Sequence, residues 1–221
     1  MKQFKALIFD CDGVLVDSEK LALEVELEVL AGLGLIFERD DYVLRFMGLS
    51  TDAFHAAIDE EAQRRLGHSI AQEVRGSGRL RQVMIAHLTE VPGALKTISR
   101  LGLPKAIASS GSRAGLERKL KQTGLWDHFV PHVYSADHVA RAKPAPDLFL
   151  LAAEELGVAP RDCLALEDSV NGVTAARAAG TTVWGFLGGG HVRDTLGPRL
   201  LSAGAERLVR DWPEAARLFA A

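Results

Sequence analysis

Hydrophobic positions along this chain follow two rhythms. Short, unbroken apolar runs occur at Lys5-Ala-Leu-Ile-Phe9, Lys105-Ala-Ile-Ala-Ser-Ser110, Cys163-Leu-Ala-Leu-Glu-Asp168 and Thr182-Val-Trp-Gly-Phe-Leu187. They are too short for helices and lack the in-out alternation of a half-solvated strand, so they predict strands buried on both faces. The first run stops abruptly at Asp10-Cys-Asp-Gly13, where a strand hands polar groups to a turn. Between the later runs the spacing turns helical, with clear punctuation. One helix is expected from Pro92 to Gly102, another from Pro146 to Gly157, and a third from Ser169 to Ala179, closed by Gly180. Proline at a first helical position and glycine just past the last are the expected asymmetry. Strands alternating with helices predict an α/β protein, a Rossmann-like parallel sheet with helices on both faces.

Residues 18–90 break that rhythm. Ser18 can cap a helix whose apolar positions Leu21, Val25, Val29 and Leu33 recur every four residues. From there to about residue 90 the pattern is helical and holds no convincing strand, with interruptions at Gly34, Gly48, Gly67 and Gly76-Ser-Gly78. The expected organisation is an α/β core of residues 1–16 and 91–221 carrying an inserted all-α cap at 17–90. There is no internal repeat and no low-complexity segment.

Composition narrows the function. Of 221 residues, 48% are hydrophobic and 25% charged, ordinary globular proportions. The 26 Lys and Arg against 29 Asp and Glu give a net charge of −3, without the basic excess of a nucleic-acid or anionic-membrane binder. No apolar run approaches the ~18 residues of a membrane span. Ala6 to Phe9 is too short for the apolar stretch of a secretory leader. Cys11 and Cys163 make no disulfide framework, so a cytoplasmic setting and no membrane or nucleic-acid partner are expected. A monomer is the expected state.

In an open parallel sheet, ligands bind beyond the carboxyl ends of the strands. Residues distant in sequence therefore converge there: Asp10 and Asp12, Ser109, and the pair Glu167-Asp168, with Lys143 leading into the helix after Pro146. If the strands at 5–9 and 163–168 are neighbours, about 4.8 Å separates Asp10 from Asp168. Three or four carboxylates so close repel unless a cation sits among them. Hard oxygen ligands in that number suit Mg²⁺, which keeps waters and meets a substrate phosphate. Lys143 and the Ser109 hydroxyl suit a phosphoryl group. Taken singly, each residue has a plainer reading: a turn aspartate, a helix cap, a solvated lysine, an acidic first helical turn. It is their convergence on one rim that points to chemistry.

The segments Phe9-Asp10-Cys-Asp12-Gly13-Val-Leu-Val-Asp17-Ser18, Ile107-Ala-Ser109, Lys143-Pro-Ala-Pro-Asp147 and Leu166-Glu167-Asp168-Ser-Val-Asn-Gly172 resemble, in order, the four motifs of the haloacid dehalogenase-like phosphohydrolase superfamily. The resemblance runs from residue 4 to about 187, and the helical insert resembles the cap of members related to β-phosphoglucomutase and small phosphometabolite phosphatases. It implies that Asp10 is a nucleophile forming an aspartyl-phosphate and that Asp12 is the general acid/base. It further implies that Gly13, Ser109, Ser110 and Lys143 hold the phosphoryl group. Mg²⁺ would be held by Asp10, the Asp12 carbonyl and Asp168, with Glu167 as an added or supporting ligand. The dehalogenases of that superfamily lack the second aspartate, which turns the expectation from haloacids to phosphate esters.

A β-phosphoglucomutase-like mutase is the alternative. The resemblance places Ala22 where such a mutase has a cap histidine and, aligning Met47-Gly48-Leu49-Ser50, places Thr51 where it has an arginine. Both departures favour net hydrolysis of a small phosphorylated metabolite, a sugar phosphate or a sugar-acid phosphate such as 6-phosphogluconate. A non-catalytic phosphometabolite-binding regulator is the alternative from another class. Within the insert, Arg64, Arg65, Arg75, Arg79 and Arg81 face only Glu73 in sequence; Arg75 or Arg79 would meet a second anionic group of the substrate, or the run is a solvated helix face. Hinges for cap closure are expected near Asp17-Ser18 and Glu90-Val-Pro92. Gly188-Gly-Gly-His191 reads as a turn near the site, and Trp126, Trp184 and Trp212 as packing residues. Cys11 and Cys163 should lie about 15 Å apart along the strands, too far for a disulfide.

Overall fold

The computed structural model of the chain describes residues 4–46, 51–76, 83, 86–190 and 195–220, with the backbone alone for Leu44, Thr51–Ala53, Arg75 and Gly76. The chain divides into two compact units, Met1–Glu19 with Leu88–Ala221, and Lys20–His87.

The first unit is built on a six-stranded parallel sheet. Its strands are β1 (Ala6–Phe9), β2 (Lys105–Ser109), β3 (Val133–Ser135), β4 (Cys163–Glu167), β5 (Thr182–Phe186) and β6 (Arg207–Val209), in the spatial order β3-β2-β1-β4-β5-β6. The chain thus starts at the centre of the sheet and winds outward in both directions. The four apolar runs are the four inner strands. The two edge strands, each of three residues, escaped the apolar pattern because so short a run carries no period, and Arg207 at the rim is exposed. Edges this short also discourage pairing with another chain.

Successive residues of β1 serve opposite faces. Ala6 and Ile8 join a core with Ala106, Ala108, Ala165, Val183 and the buried sides of three helices. Those helices supply Phe149 and Ala152, Val173 and Ala176, and Leu200 to the same core. The many alanines there let helices approach the sheet closely. On the other face Phe9 meets Phe129, Trp212 and Phe219, and Phe186 meets Trp212, with ring centres 5.7–6.2 Å apart. Both faces are therefore covered, which is why the strands read as unbroken apolar runs.

The helices, in chain order, are α1 (Ser18–Gly32), α2 (Arg39–Phe46), α3 (Thr51–Leu66), α4 (Ala71–Gly76), α5 (Ala94–Ile98), α6 (Arg113–Gln122), α7 (Asp147–Glu155), α8 (Val170–Ala178), α9 (Leu196–Ala203) and α10 (Trp212–Phe219). The second unit is all-helical among its described residues, an all-α cap domain inserted between β1 and β2. Its core gathers Leu23, Leu30, Leu35, Tyr42, Phe46, Ile58, Ala62 and Ile70. On α1 the buried apolar positions are Leu23, Val25 and Leu30, whereas Leu21 and Val29, and Leu33 just past its end, are half-buried. A strict four-residue stripe drifts around a helix of 3.6 residues per turn, so burial follows Leu23 and Leu30, two turns apart. No helix among the described residues is long and apolar enough to cross a membrane.

Inside this helical unit the Tyr42 hydroxyl donates to Glu26 Oε2 at 2.8 Å. Burial raises the Glu26 carboxyl above its usual range, and the bond from Tyr42 recovers only part of that cost. A carboxyl raised in the folded state stabilises the fold below its unfolded pKa and loses that contribution as pH rises through the folded value. Glu26→Gln keeps an acceptor for Tyr42 without the buried charge. Its melting temperature, followed by circular dichroism, should exceed the parent's at pH 7.5, and the gap should close towards pH 4. A gap that widens on acidification would contradict this account.

Candidate active site

Parallel pairing sets Phe9 beside Ile107 on one side and Leu166 on the other. Register then carries Asp10 and Glu167 off neighbouring strands together, and the Asp10 amide still donates to the Leu166 carbonyl at 3.0 Å. Asp10, Glu167 and Asp168, all buried, each present a carboxylate oxygen within 4.8 Å of the others. Lys143, from the loop before α7, places its ammonium 2.5 Å from Asp10 Oδ1 and also bonds Glu167 Oε1. The other Glu167 oxygen accepts from the amide and hydroxyl of Ser169 at 3.2 and 3.1 Å, and that hydroxyl caps α8 through the Gly172 amide at 3.0 Å. Protein donors thus occupy both oxygens of Glu167, which suits a residue that steadies its neighbours.

The charge balance is unfinished. Three carboxylates against one ammonium leave two negative charges in a buried cluster. Burial pushes the Asp10 carboxyl up to about 8; Lys143 opposes the shift, and Glu167 and Asp12 add to it. Asp168 is raised well above the carboxylate range by burial and then by Asp10, Glu167 and Glu19. Burial works against the charge on Lys143, yet Asp10 and Glu167 keep it above its ordinary value. Burial so unfavourable to these charges is relieved by a divalent cation, which would hold both groups as carboxylates. The donor set is all oxygen, which fits a hard cation.

Asp12 faces elsewhere. Its Oδ1 accepts from the Ser18 hydroxyl, at the start of α1, and from the Lys119 ammonium of α6. The turn between Asp12 and Ser18 closes on itself: the Gly13 amide donates to Val16 at 2.9 Å, and Leu15 donates to Cys11 at 2.9 Å. Gly13 has φ of 76°, a left-handed conformation that glycine adopts without strain. Trp212 is more than packing, since its indole N–H donates to the Val14 carbonyl at 2.8 Å and ties the C-terminal helix to this turn. Trp184 is a buried packing residue, and Trp126 lies under Lys121.

Ser109 ends β2 fully buried, its hydroxyl accepting from the Gly111 amide at 3.2 Å, while Ser110 is exposed. The two chain connections at the expected hinges run paired, with Asp17 donating to Thr89 at 3.0 Å and Val91 to Leu15 at 2.9 Å. In the glycine turn after β5, Gly190 donates to Asp17 Oδ1 at 3.0 Å; His191 lies outside the described residues. Cys11 and Cys163 are buried free thiols, and Cys163 pairs in register with Ala6, five residues before Cys11.

The arginine run divides. Arg64 binds Glu61 at 2.6 Å, and Arg65 donates to the Ile36 carbonyl at 3.0 Å, so both are engaged within the helical unit. Arg79 and Arg81, the interruption at 77–78 and the Met47–Ser50 loop lie outside the described residues, as do the side chains of Arg75 and Thr51.

Lys119 is the site residue that sequence reasoning missed. Helix α6 is not among the expected helices, although Leu116 and Leu120 four apart, Ser112, whose hydroxyl accepts from Gly115, and Gly124 beyond its end mark it. Nothing local connects that helix to Asp12.

A buried carboxylate cluster with one lysine, at the strand ends of an open parallel sheet, defines a phosphoryl-transfer class of α/β enzyme. The chain belongs to the haloacid dehalogenase-like hydrolase family, whose model matches residues 4–180, and it is an enzyme of that family's phosphatase kind. It is 34% identical over 181 residues to the fructose-1-phosphate phosphatase YqaB of Escherichia coli (strain K12), covering 81% of this chain and 94% of that protein. With hexitol phosphatase B of the same organism it shares 35% identity over 184 residues, covering 80% and 81%. A HAD family hydrolase of Deinococcus radiodurans R1, solved with bound phosphate and sodium, superposes with a TM-score of 0.87 at 35% identity, covering 99% of this chain and 96% of that one.

Two measurements probe the cluster. Gly172 packs so tightly under Glu167 that an added Cβ would stand 1.9 Å from its carboxyl. Glycine to alanine inside a helix ordinarily stabilises; Gly172→Ala should instead lose about 1–3 kcal/mol in urea unfolding, as overpacked sites do. Unchanged or increased stability would refute this packing. A divalent cation that binds this cluster would, at about a hundred times its dissociation constant, stabilise the protein by about 2.7 kcal/mol. Asp168→Asn should abolish that gain, and a gain that survives would place the ion elsewhere.

Proposed function

We propose that this protein is a Mg²⁺-dependent phosphomonoesterase acting on a small sugar or sugar-alcohol phosphate through an aspartyl-phosphate. The observation that carries this reading is the buried triad of Asp10, Glu167 and Asp168 with Lys143 between two of its members. The phosphatase names of two relatives support the substrate class. Asp10, Asp168 and the Asp12 carbonyl would hold Mg²⁺, which would supply charge neutralisation for the phosphoryl oxygens.

The chain's own residues divide the remaining work. Lys143 occupies Asp10 Oδ1, which leaves Oδ2 to attack phosphorus. As that bond forms, the bond from phosphorus to the sugar oxygen breaks, and Asp12 gives its proton to the departing oxygen. Water then attacks the phosphoryl group and passes a proton to Asp12, while the bond from phosphorus to Asp10 breaks. Lys143, Ser109, Ser110 and the backbone at Gly13 hold the phosphoryl oxygens through both steps. Selection among leaving groups falls to the inserted helical unit, with Arg75 and Arg79 as candidates.

The test is a phosphate-release screen over sugar, sugar-alcohol and sugar-acid phosphates, phosphoglycolate and nucleotides, with and without Mg²⁺. Release should require Mg²⁺, and Asp10→Asn should reduce it on the order of 10⁴-fold or more while leaving the fold intact. Isomerisation of a sugar phosphate without phosphate release would make the protein a mutase. Absence of turnover across the panel would make it a binding protein.

A further inference from the structure

Asp12 has an asymmetric environment. Both donors on its carboxyl, the Ser18 hydroxyl and the Lys119 ammonium, converge on Oδ1. Lys119 comes from 107 residues away, and its side chain is 21% exposed against 24% for Asp12, so the pair is sheltered without being sealed. A carboxyl oxygen has two lone pairs, and the two donors on Oδ1 occupy both, leaving no place there for a transferable proton. The proton that Asp12 gives and takes is thereby confined to Oδ2.

Helix α6, which carries Lys119, is also the helix that leaves the Ser109 end of β2. Ser112 caps it, and Thr123 at its far end bonds the Lys119 carbonyl at 2.9 Å. One helix thus follows shortly after the proposed phosphate-binding serine and carries the lysine that meets the proposed acid/base. A solvated ion pair, such as Lys121 with Glu117 on the same helix, has no such linkage.

We propose that Lys119 is a positioning residue that pins Oδ1 of Asp12 and so presents Oδ2 to the leaving-group oxygen. The proposal rests on the assignment of Asp12 as the acid/base. In the step concerned, Asp10 bonds to phosphorus, the ester P–O bond breaks, and the proton on Asp12 Oδ2 moves to the released oxygen. Lys119 exchanges no proton and acts through Asp12 alone.

The test compares two substrates whose leaving groups differ in their need for a proton. Fructose 1-phosphate releases an alkoxide, whereas p-nitrophenyl phosphate releases a stable phenolate. For both, kcat/KM reports the step that expels the leaving group, so later hydrolysis of the aspartyl-phosphate does not enter. Loss of a positioned acid costs about 10²–10⁴-fold where a proton is needed. Lys119→Met should therefore lower kcat/KM at least tenfold for fructose 1-phosphate and less than threefold for p-nitrophenyl phosphate. Lys119→Arg should restore most of the loss, and Lys119→Gln, which removes the charge with a polar side chain, should behave like the methionine variant if the latter folds poorly. Asp12→Asn is the control for the underlying assignment and must show the same leaving-group dependence. If it does not, or if the parent releases phosphate from neither probe, the reading of Asp12 fails. If Asp12→Asn behaves as stated and the Lys119 variants lose activity equally on both substrates, or not at all, the positioning role alone is overturned.

Discussion

Everything at this site depends on the repulsion among three carboxylates that the sheet forces together. Asp10 and Glu167 leave neighbouring strands at the same level, and Asp168 follows one residue later. Burial is the first cost of holding their charges there and their mutual repulsion adds to it, against which Lys143 works. The remainder of the rim answers that charge: Ser169 donates twice to Glu167, and Gly172 keeps the space in which the Glu167 carboxylate lies. A cluster that is poorly balanced by itself is well suited to a doubly charged ion and, with it, a phosphoryl group.

The two aspartates of the first motif have opposite surroundings although only Cys11 separates them. Asp10 is buried against Lys143 and raised by burial, while Asp12 lies on a turn against Lys119 and Ser18. The turn after β1 brings this about. Its internal amide bonds and the Trp212 indole hold the backbone, so two aspartates two residues apart keep separate surroundings. Cys11 between them is fully buried, its thiol pushed well up by burial and by Asp12, which keeps it out of the chemistry.

Much of this architecture was legible in advance. The four inner strands show as apolar runs because both their faces are covered, and α5, α7 and α8 show through their Pro, Ser and Gly boundaries, whereas α6, α9 and α10 did not show. The candidate residues show because strand ends in such a sheet share one rim. The edge strands β3 and β6 did not show, since three residues have no period. The apolar stripe on α1 has a spacing of four in sequence, whereas the burial of Leu23 and Leu30 follows the true helical repeat. The arginines at 64 and 65 look free in sequence because Glu61 is hidden in the same helical run, yet geometry brings that carboxylate to them.

By itself, the order of residues determined which groups lie at the strand ends and which chemistry they can support, because a strand carries its own terminal residues wherever it goes. Tertiary structure alone decided the partnerships. Lys143 meets Asp10 from 133 residues away and Lys119 meets Asp12 from 107. Such contacts depend on strand order, register and the direction in which a helix leaves the sheet. None of these is written in any local pattern, because each is a compromise among packing forces spread over the whole chain.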